Sequence, residues 1–194
     1  AALDWKQKQV FDELYVDYFY RRQDSGWYES GLKKLQALKN ASNMLICGED
    51  LGMMTHCVTE VMKRLSILSL EIQRAPKTDK IEFFHPADAP YLSVVTPSTH
   101  DMSTIRGWWE EDHAVSQRFY NQQLGHWGGA PYFAEWWICR DILNMHLYSP
   151  AMWSIFQWQD LMSISPELRR ENPNDERINV PSNTKYSWRY RMHI

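Results

Sequence analysis

Long hydrophobic runs and an excess of positive charge are both missing from this sequence. The longest apolar stretches, at residues 44–47 and 91–96, are far shorter than the roughly 20 residues that a helix needs to cross a bilayer. Lys and Arg together number 21 against 24 Asp and Glu, for a formal net charge of −3, and no basic block occurs. We therefore expect no membrane-spanning segment and no nucleic-acid partner.

Several signatures of other protein classes are missing as well. The three cysteines, Cys47, Cys57 and Cys139, form no C-x-x-C pair and no zinc-binding spacing, which favours reduced thiols in a cytoplasmic protein over one structural disulfide. No glycine-rich phosphate loop and no G-x-S-x-G turn occurs, so we expect no cofactor. The chain begins without Met or the regions of a signal peptide, as a segment of a longer protein would.

What the sequence does contain is an alternation of helical and strand-like segments. Apolar residues recur at helical spacing over residues 4–22, 32–38, 55–65, 112–124 and 132–146, and short apolar runs at 44–47, 66–72, 91–96 and 152–158 are typical of buried strands. Such alternation predicts an α/β fold with a parallel sheet. Four strands are half of the eight that close a TIM barrel. With no repeat or linker visible, we predict that residues 1–194 are one segment of a barrel, without an internal boundary.

The first candidate site follows the apolar run at residues 44–47. The segment 48–52, with the sequence GEDLG, places Glu49 where that strand ends, and catalytic groups of β/α barrels lie at the carboxyl ends of strands. An apolar strand end withdraws a carboxyl from water and favours its protonated form, as a general acid requires. The alternative is that Glu49 or Asp50 caps the helix that starts near Thr55.

The second candidate follows the clearest strand, at residues 91–96. The segment 98–101, STHD, places His100 and Asp101 there, where they can bond to sugar hydroxyls and stabilise positive charge on the ring. Two alternatives remain at this point: part of a metal site, or a loop in which Asp101 caps the next helix. Carboxylates on separate strands suit the oxocarbenium-like transition state of glycoside chemistry. Asp160, after the run at 152–158, is a third candidate by position alone.

Together these motifs resemble those of amylomaltases, the 4-α-glucanotransferases. GEDLG at 48–52, STHD at 98–101, ERINVP at 176–181 and WR at 188–189 occur in the order seen in that family. IQR at 72–74, PYL at 90–92 and RGWWEED at 106–112 are closer to the plant cytosolic disproportionating enzyme and its bacterial relatives. The similarity covers residues 44–194.

The resemblance implies roughly the second half of a (β/α)₈ barrel and a retaining transfer of glucosyl or glucan units to an acceptor. The substrates would be maltose, malto-oligosaccharides or starch-like glucans. Glu49 would be the general acid/base, Asp101 the third carboxylate that grips the distorted donor sugar, and His100 a ligand of the same sugar, with no metal. The family's nucleophilic aspartate would lie upstream of Ala1, so we expect the chain alone to be inactive.

Three further expectations concern partners and products. The ten tryptophans suggest an alternative function, a non-catalytic glucan-binding module that uses Trp108, Trp109, Trp127, Trp136 and Trp137 as stacking surfaces. A hydrolase of the same barrel class is a third hypothesis, since transfer and hydrolysis share one intermediate. The open sheet edges of half a barrel predict marginal stability or pairing with a second copy, a homo-oligomer.

Overall fold

The computed structural model describes residues 3–52, 54–185, 188 and 190–192, so Arg189 of the WR motif lies outside the described residues. The chain groups into two compact units, Ala1–Leu70 and Glu71–Ile194. The predicted single barrel segment over residues 1–194 stays a prediction.

The first unit is helical. Helix α1 (Trp5–Val16) continues into a π-helical turn (Asp17–Arg21), and α2 (Asp24–Asn40) and α3 (His56–Arg64) follow, which confirms helices in the three predicted segments. A capping box at Asp4 starts α1, although α1 buries no residue. Helices α2 and α3 form the core of the unit. Its buried residues are Val61, Met62, Leu65 and Ile67, with Tyr28, Leu32, Leu35, Ile46 and Val58 packed against them.

The predicted strand at residues 44–47 is wrong for most of its length. Only Cys47 makes a bridge, in parallel with Leu68, while Met44 and Leu45 are 74% and 54% exposed. A continuous apolar run is typical of a strand covered on both faces. Within this unit residues 44 and 45 have no such cover, so the run does not become a strand.

The second unit contains most of a small sheet in the order β1-β2-β3, whose strands are β1 (Ser69–Ile72), β2 (Ser93–Thr96) and β3 (Trp153–Ser154). Strands β2 and β3 are parallel, with Val94 opposite Trp153. The predicted strands at 66–72 and 91–96 are confirmed. The one predicted at 152–158 shortens to two residues because its end turns into helix α7 (Trp158–Met162).

Three longer helices complete the second unit: α4 (Ile105–Glu111), α5 (His113–Gln122) and α6 (Trp136–Leu147). They surround a core built around Trp109, Phe119 and Ile138, none of which is exposed to solvent. The mixed α/β class with parallel strands is therefore confirmed. Among the described residues, no helix combines the length and the apolar character needed to cross a membrane.

One buried carboxylate fixes the loop between β2 and α4. Asp160 in α7 is fully buried; its Oδ2 accepts a hydrogen bond from Ser98 Oγ at 2.6 Å and its Oδ1 from Ile105 N at 2.8 Å. Gln157 Nε2 donates to Ser98 Oγ and to Thr99 O, both at 2.9 Å. Burial raises the pKa of Asp160. The prediction that Asp160 stands at a strand mouth is wrong, because it lies inside a helix and bonds to the loop.

Replacing Asp160 should therefore destabilise the protein. Asp160→Ala leaves the Ser98 hydroxyl and the Ile105 amide without their buried acceptor, and we expect the free energy of unfolding to fall by about 3 kcal/mol. Asp160→Asn keeps one acceptor oxygen and should lose less. Chemical denaturation measures both. The control is the exposed Asp79→Ala, expected within about 0.5 kcal/mol of wild type. Equal stability of the two alanine variants would contradict this account.

A second buried titratable group lies in α6. His146 is fully buried and its Nδ1 lies 2.8 Å from Ile142 O. Burial lowers the pKa of His146 from 6.5 to about 4, and the positive charges of Arg74 and His85 add to the effect. Between pH 6.5 and about pH 4, therefore, the ring of His146 is neutral in the folded protein and protonated in the unfolded chain. The stabilisation is complete above pH 6.5 and is lost as the pH falls toward 4.

Between pH 7 and pH 5 the loss attributable to His146 should amount to roughly 2 kcal/mol. Denaturant unfolding across this range should show the decline in the wild-type protein. The side chain of His146→Gln cannot take up a proton. In this variant the free energy of unfolding should therefore fall by roughly 2 kcal/mol less between pH 7 and pH 5 than in wild type, whatever the absolute stability of the variant. Identical slopes would show that His146 does not titrate differently in the folded and unfolded states.

Candidate functional site

His100 and Asp101 lie together in the loop that follows β2. Their side chains are 54% and 50% exposed, and His100 Nε2 lies 3.4 Å from Asp101 Oδ2. Asn179 Nδ2 donates a hydrogen bond of 2.6 Å to Asp101 Oδ1. The ring of Trp188 is 5.1 Å from the ring of His100. A carboxylate, an imidazole, an amide and an indole thus meet at an accessible surface at the carboxyl end of a buried strand.

The segment that carries Asn179 is anchored by a buried ion pair. Arg106 Nη1 lies 2.6 Å from Glu176 Oε1, and both side chains are buried; the same oxygen accepts from Arg170 N at 2.9 Å. Burial raises the pKa of Glu176, against the effects of Arg106 and the Arg170 amide. Arg177 Nε donates to Asn179 O at 2.9 Å. Breaking such a pair leaves a buried charge unpaired, which is costly. The ion pair therefore holds residue 176 in place, and the bond from Arg177 to Asn179 O extends this support to the backbone of Asn179.

Two arginines hold the loop that carries Asp101. Arg74 Nε donates to Pro97 O at 3.0 Å and its Nη2 to Ser103 O. Burial lowers the pKa of Arg74 to about 10, so the guanidinium remains charged at neutral pH. Arg177 Nη1 donates to Ser103 Oγ at 3.0 Å. The loop is therefore fixed on both sides of His100 and Asp101.

The helix-cap alternative for Asp101 does not hold in this geometry. The N-cap residue of α4 is Thr104, whose Oγ1 accepts from Gly107 N at 3.2 Å, and the Ile105 amide bonds to Asp160. Asp101 therefore caps no helix, because these acceptors already fill the cap. As for a metal site, the described part of the chain contains no group of three or more His, Cys, Asp or Glu side chains placed to hold an ion.

Glu49 belongs to the first unit. The preceding segment runs alongside residues 67 and 68: Gly48 N donates to Leu68 O at 2.8 Å and Leu68 N to Ile46 O at 2.9 Å. Asp50 is buried and accepts from Leu70 N at 2.8 Å. Glu49 itself is exposed, so the predicted withdrawal of this carboxyl from water is wrong for the unit described by itself.

The helix-cap alternative for Glu49 and Asp50 is also wrong. Thr55 is the N-cap residue of α3 and makes no side-chain cap bond. The amide of Cys57 instead donates to Asp24 Oδ1, on helix α2, at 3.0 Å. Helix α2 therefore supplies the acceptor that the sequence pattern predicted at Glu49 or Asp50.

A cavity of about 500 Å³ lies beside Glu49 within the first unit. Residues 46–50 form part of its wall, and the rest comes mainly from apolar side chains of α2 and α3: Trp27, Leu35, Leu38, Val58, Val61 and Met62. The volume is within the range of small-molecule sites. Glu49, Asp50 and Thr55 are the polar side chains among its lining residues.

The five tryptophans that were candidates for stacking surfaces differ in their exposure. Trp109 is fully buried, and Trp108 and Trp137 pack against the same core, so these three serve the fold and not a stacking surface. Trp136 is partly exposed and has the guanidinium of Arg140 over its ring at 5.1 Å. Trp127 differs from all of these because it is 95% exposed.

Sequence reasoning missed the part that Asn179, Glu176 and Asp160 play in holding this site. Asn179 is part of the ERINVP motif, but it is 78 residues from Asp101 in the chain, and no periodicity connects the two. Arg106 lies in an otherwise uncharged run, IRGWW at residues 105–109, which was a signal for a buried arginine, whereas the polar neighbours of Glu176 gave no such signal.

Comparison with known proteins agrees with these motifs. A family model described as 4-alpha-glucanotransferase, glycoside hydrolase family 77, matches residues 3–194. The rice (Oryza sativa subsp. japonica) protein named 4-alpha-glucanotransferase DPE2 is 40% identical over 192 residues, which are 99% of this chain and 20% of the rice protein. A 4-alpha-glucanotransferase of Chlamydia muridarum is 31% identical over 188 residues, 94% of this chain and 35% of that protein.

Among solved structures, the amylomaltase from Streptococcus agalactiae in complex with acarbose superposes with a TM-score of 0.64 at 19% identity. The match covers 84% of this chain and 31% of that one, and at this identity it indicates a shared fold. The chain spans a fifth to about a third of the length of these relatives. It belongs to glycoside hydrolase family 77, the 4-alpha-glucanotransferase family.

Proposed function

We propose that the natural polypeptide that carries this chain is a 4-α-glucanotransferase, and that these residues form about the second half of its (β/α)₈ barrel. It moves glucosyl or glucan units from maltose, malto-oligosaccharides or starch-like glucans to an acceptor sugar, in the cytoplasm and without a cofactor. The observation that carries this proposal is the accessible carboxylate of Asp101, held by Asn179 at 2.6 Å next to His100 after a buried strand.

The roles proposed for the residues follow from the charge of the transition state. As the glycosidic bond breaks, the donor ring becomes oxocarbenium-like. Asp101 supplies a negative charge to that ring and accepts hydrogen bonds from its hydroxyls, and His100 bonds to the same sugar. One oxygen of Asp101 is oriented by Asn179. Because the carboxylate is half exposed, a sugar can reach it without rearrangement of the loop.

Glu49 is proposed as the general acid/base. It protonates the glycosidic oxygen of the leaving sugar, and in the second half of the reaction it accepts the proton of the incoming acceptor hydroxyl. A retaining mechanism also requires a carboxylate nucleophile about 5–5.5 Å from the acid/base. The family resemblance attributes that nucleophile to residues upstream of this chain, which is why the 194 residues alone are proposed to be inactive.

Removing either carboxylate should abolish most of the transfer. In the natural polypeptide, Glu49→Gln should lower the turnover of maltotriose by about 10²–10⁴-fold, the usual contribution of a general acid/base, and Asp101→Asn should also be strongly impaired. Glu60→Gln and Asp79→Asn make the same chemical changes at exposed positions and should keep normal turnover. The assay follows label from added glucose into longer sugars, which separates transfer from hydrolysis.

The 194 residues alone, assayed in the same way, should release no glucose. Robust turnover by the chain alone would overturn the proposed need for an upstream nucleophile. Near-normal turnover of Glu49→Gln would remove Glu49 from the acid/base role. Glucose release without incorporation of label would favour a hydrolase.

Asn179 should act through Asp101. Asn179→Asp replaces the donor of the 2.6 Å hydrogen bond with a second carboxylate, and like charges at this distance repel. We expect kcat for maltotriose to fall at least about tenfold, which corresponds to 1.36 kcal/mol in the barrier, while the melting temperature changes little. The matched control is Asn174→Asp, at an exposed position of the same segment. Unchanged kcat in Asn179→Asp would show that Asp101 does not depend on this contact.

A further inference from the structure

The loop between α5 and α6 carries an almost fully exposed indole. Trp127 is 95% exposed, whereas Trp109 is fully buried and Trp136 lies under Arg140. The same loop also exposes Tyr132 and Phe133. Isolated surface hydrophobics are common, so the exposure of Trp127 alone proves nothing. Trp127 is distinguished by the fixed backbone of its loop, by the glycines beside it and by the absence of charged residues around it in the sequence.

The backbone that carries Trp127 is tied down by polar side chains of α5. Asn121 Nδ2 donates to His126 O at 2.7 Å. Gln117 Nε2 donates to Gly128 O at 2.9 Å, and its Oε1 accepts from Ala130 N at 2.7 Å. These bonds fix the residues immediately before and after Trp127. A loop whose backbone is already fixed loses less entropy when a ligand binds than a mobile loop does.

Glycines leave the space around the indole open. Gly125 and Gly128 have φ of +68° and +92°, a region that residues with a Cβ seldom adopt, and Gly129 follows directly. At none of the three positions would a Cβ meet another atom within 4 Å. The neighbours of Trp127 in the sequence therefore put little side-chain bulk beside its ring.

The chemistry of this segment favours a neutral ligand. Residues 119–134 contain no Asp, Glu, Lys or Arg, so a charged ligand would find no counter-charge within it. The exposed side chains near Trp127 in the sequence are amides and aromatics, Asn121, Gln122 and Tyr132. A protein interface would call for a broader apolar patch than the three exposed rings of this loop, Trp127, Tyr132 and Phe133. A pyranose fits these features, since it has an apolar C–H face for an aromatic ring and a rim of hydroxyls for amides.

We propose that the loop at residues 125–133 is a second carbohydrate-binding site, in which Trp127 stacks on a glucosyl ring of an α-1,4-glucan chain. It lies on a different loop from His100 and Asp101. The identity of the sugar rests on the proposed function, whereas the preference for a neutral ring with an apolar face rests on Trp127 and its surroundings. Such a site retains long glucans on the protein between transfer events.

The test uses the natural polypeptide and maltoheptaose as the probe, with affinity measured by calorimetry. Trp127→Ala should weaken binding about tenfold, as removal of a tryptophan anchor commonly does. Trp127→Phe keeps an aromatic face and should retain most of the affinity. The matched control is Trp136→Ala, because the guanidinium of Arg140 already lies over the ring of Trp136 at 5.1 Å, and it should bind as wild type does.

Two results would overturn the proposal. One is unchanged affinity in Trp127→Ala. The other concerns quenching by acrylamide before glucan is added. The fluorescence of Trp127 is the difference between the wild-type protein and Trp127→Phe. If acrylamide does not quench this fluorescence, the rest of the polypeptide covers Trp127 and no glucan can stack on it. Transfer from maltotriose to labelled glucose, measured on the wild-type protein, tests the proposed function separately. If the protein transfers sugar but Trp127→Ala binds maltoheptaose as wild type does, only the second site is contradicted. If Trp127→Ala weakens binding but the wild-type protein transfers no sugar, only the proposed function is contradicted.

Discussion

The arrangement of the Asp101 loop depends on a carboxylate that lies outside the loop, that of Asp160 in helix α7. A buried carboxylate is costly unless hydrogen bonds replace its lost hydration, and here the replacements are Ser98 and Ile105, one before and one after Asp101. Both ends of the loop are thereby tied to one side chain in helix α7. The need to satisfy Asp160 fixes where the exposed carboxylate of Asp101 stands.

The C-terminal segment obeys the same rule. Glu176 is buried and is satisfied by Arg106 of α4 and by the Arg170 amide, so the turn that precedes Asn179 has little freedom. Two buried acids, Asp160 and Glu176, thus determine the two halves of the contact between Asp101 and Asn179. In the first unit, Asp50 and Asp24 likewise bind backbone amides on other elements. These acids hold the structure, whereas Glu49 and Asp101 are exposed.

This division explains why the acids were hard to sort from sequence. Glu49 and Asp50 are neighbours, yet Asp50 is buried as an acceptor for Leu70 and Glu49 is exposed. Asp160 resembled a residue at a strand mouth and is instead fully buried. Local pattern gives the position of an acid relative to a strand. Its role depends on which donors the tertiary structure brings to it.

The sequence by itself determined helices α1, α2, α3, α5 and α6, the strands at residues 66–72 and 91–96, and the family, because helical periodicity, short apolar runs and ordered motifs are local properties of the chain. Helices α4 and α7 were not predicted. The sequence also predicted that His100 and Asp101 lie in a loop after a buried strand, which the structure bears out. Only the tertiary structure decided that Trp109 is core and Trp127 is exposed, that residues 44 and 45 form no strand, and that Asn179 bonds to Asp101. Those outcomes depend on contacts between residues far apart in the chain, and no local pattern encodes them.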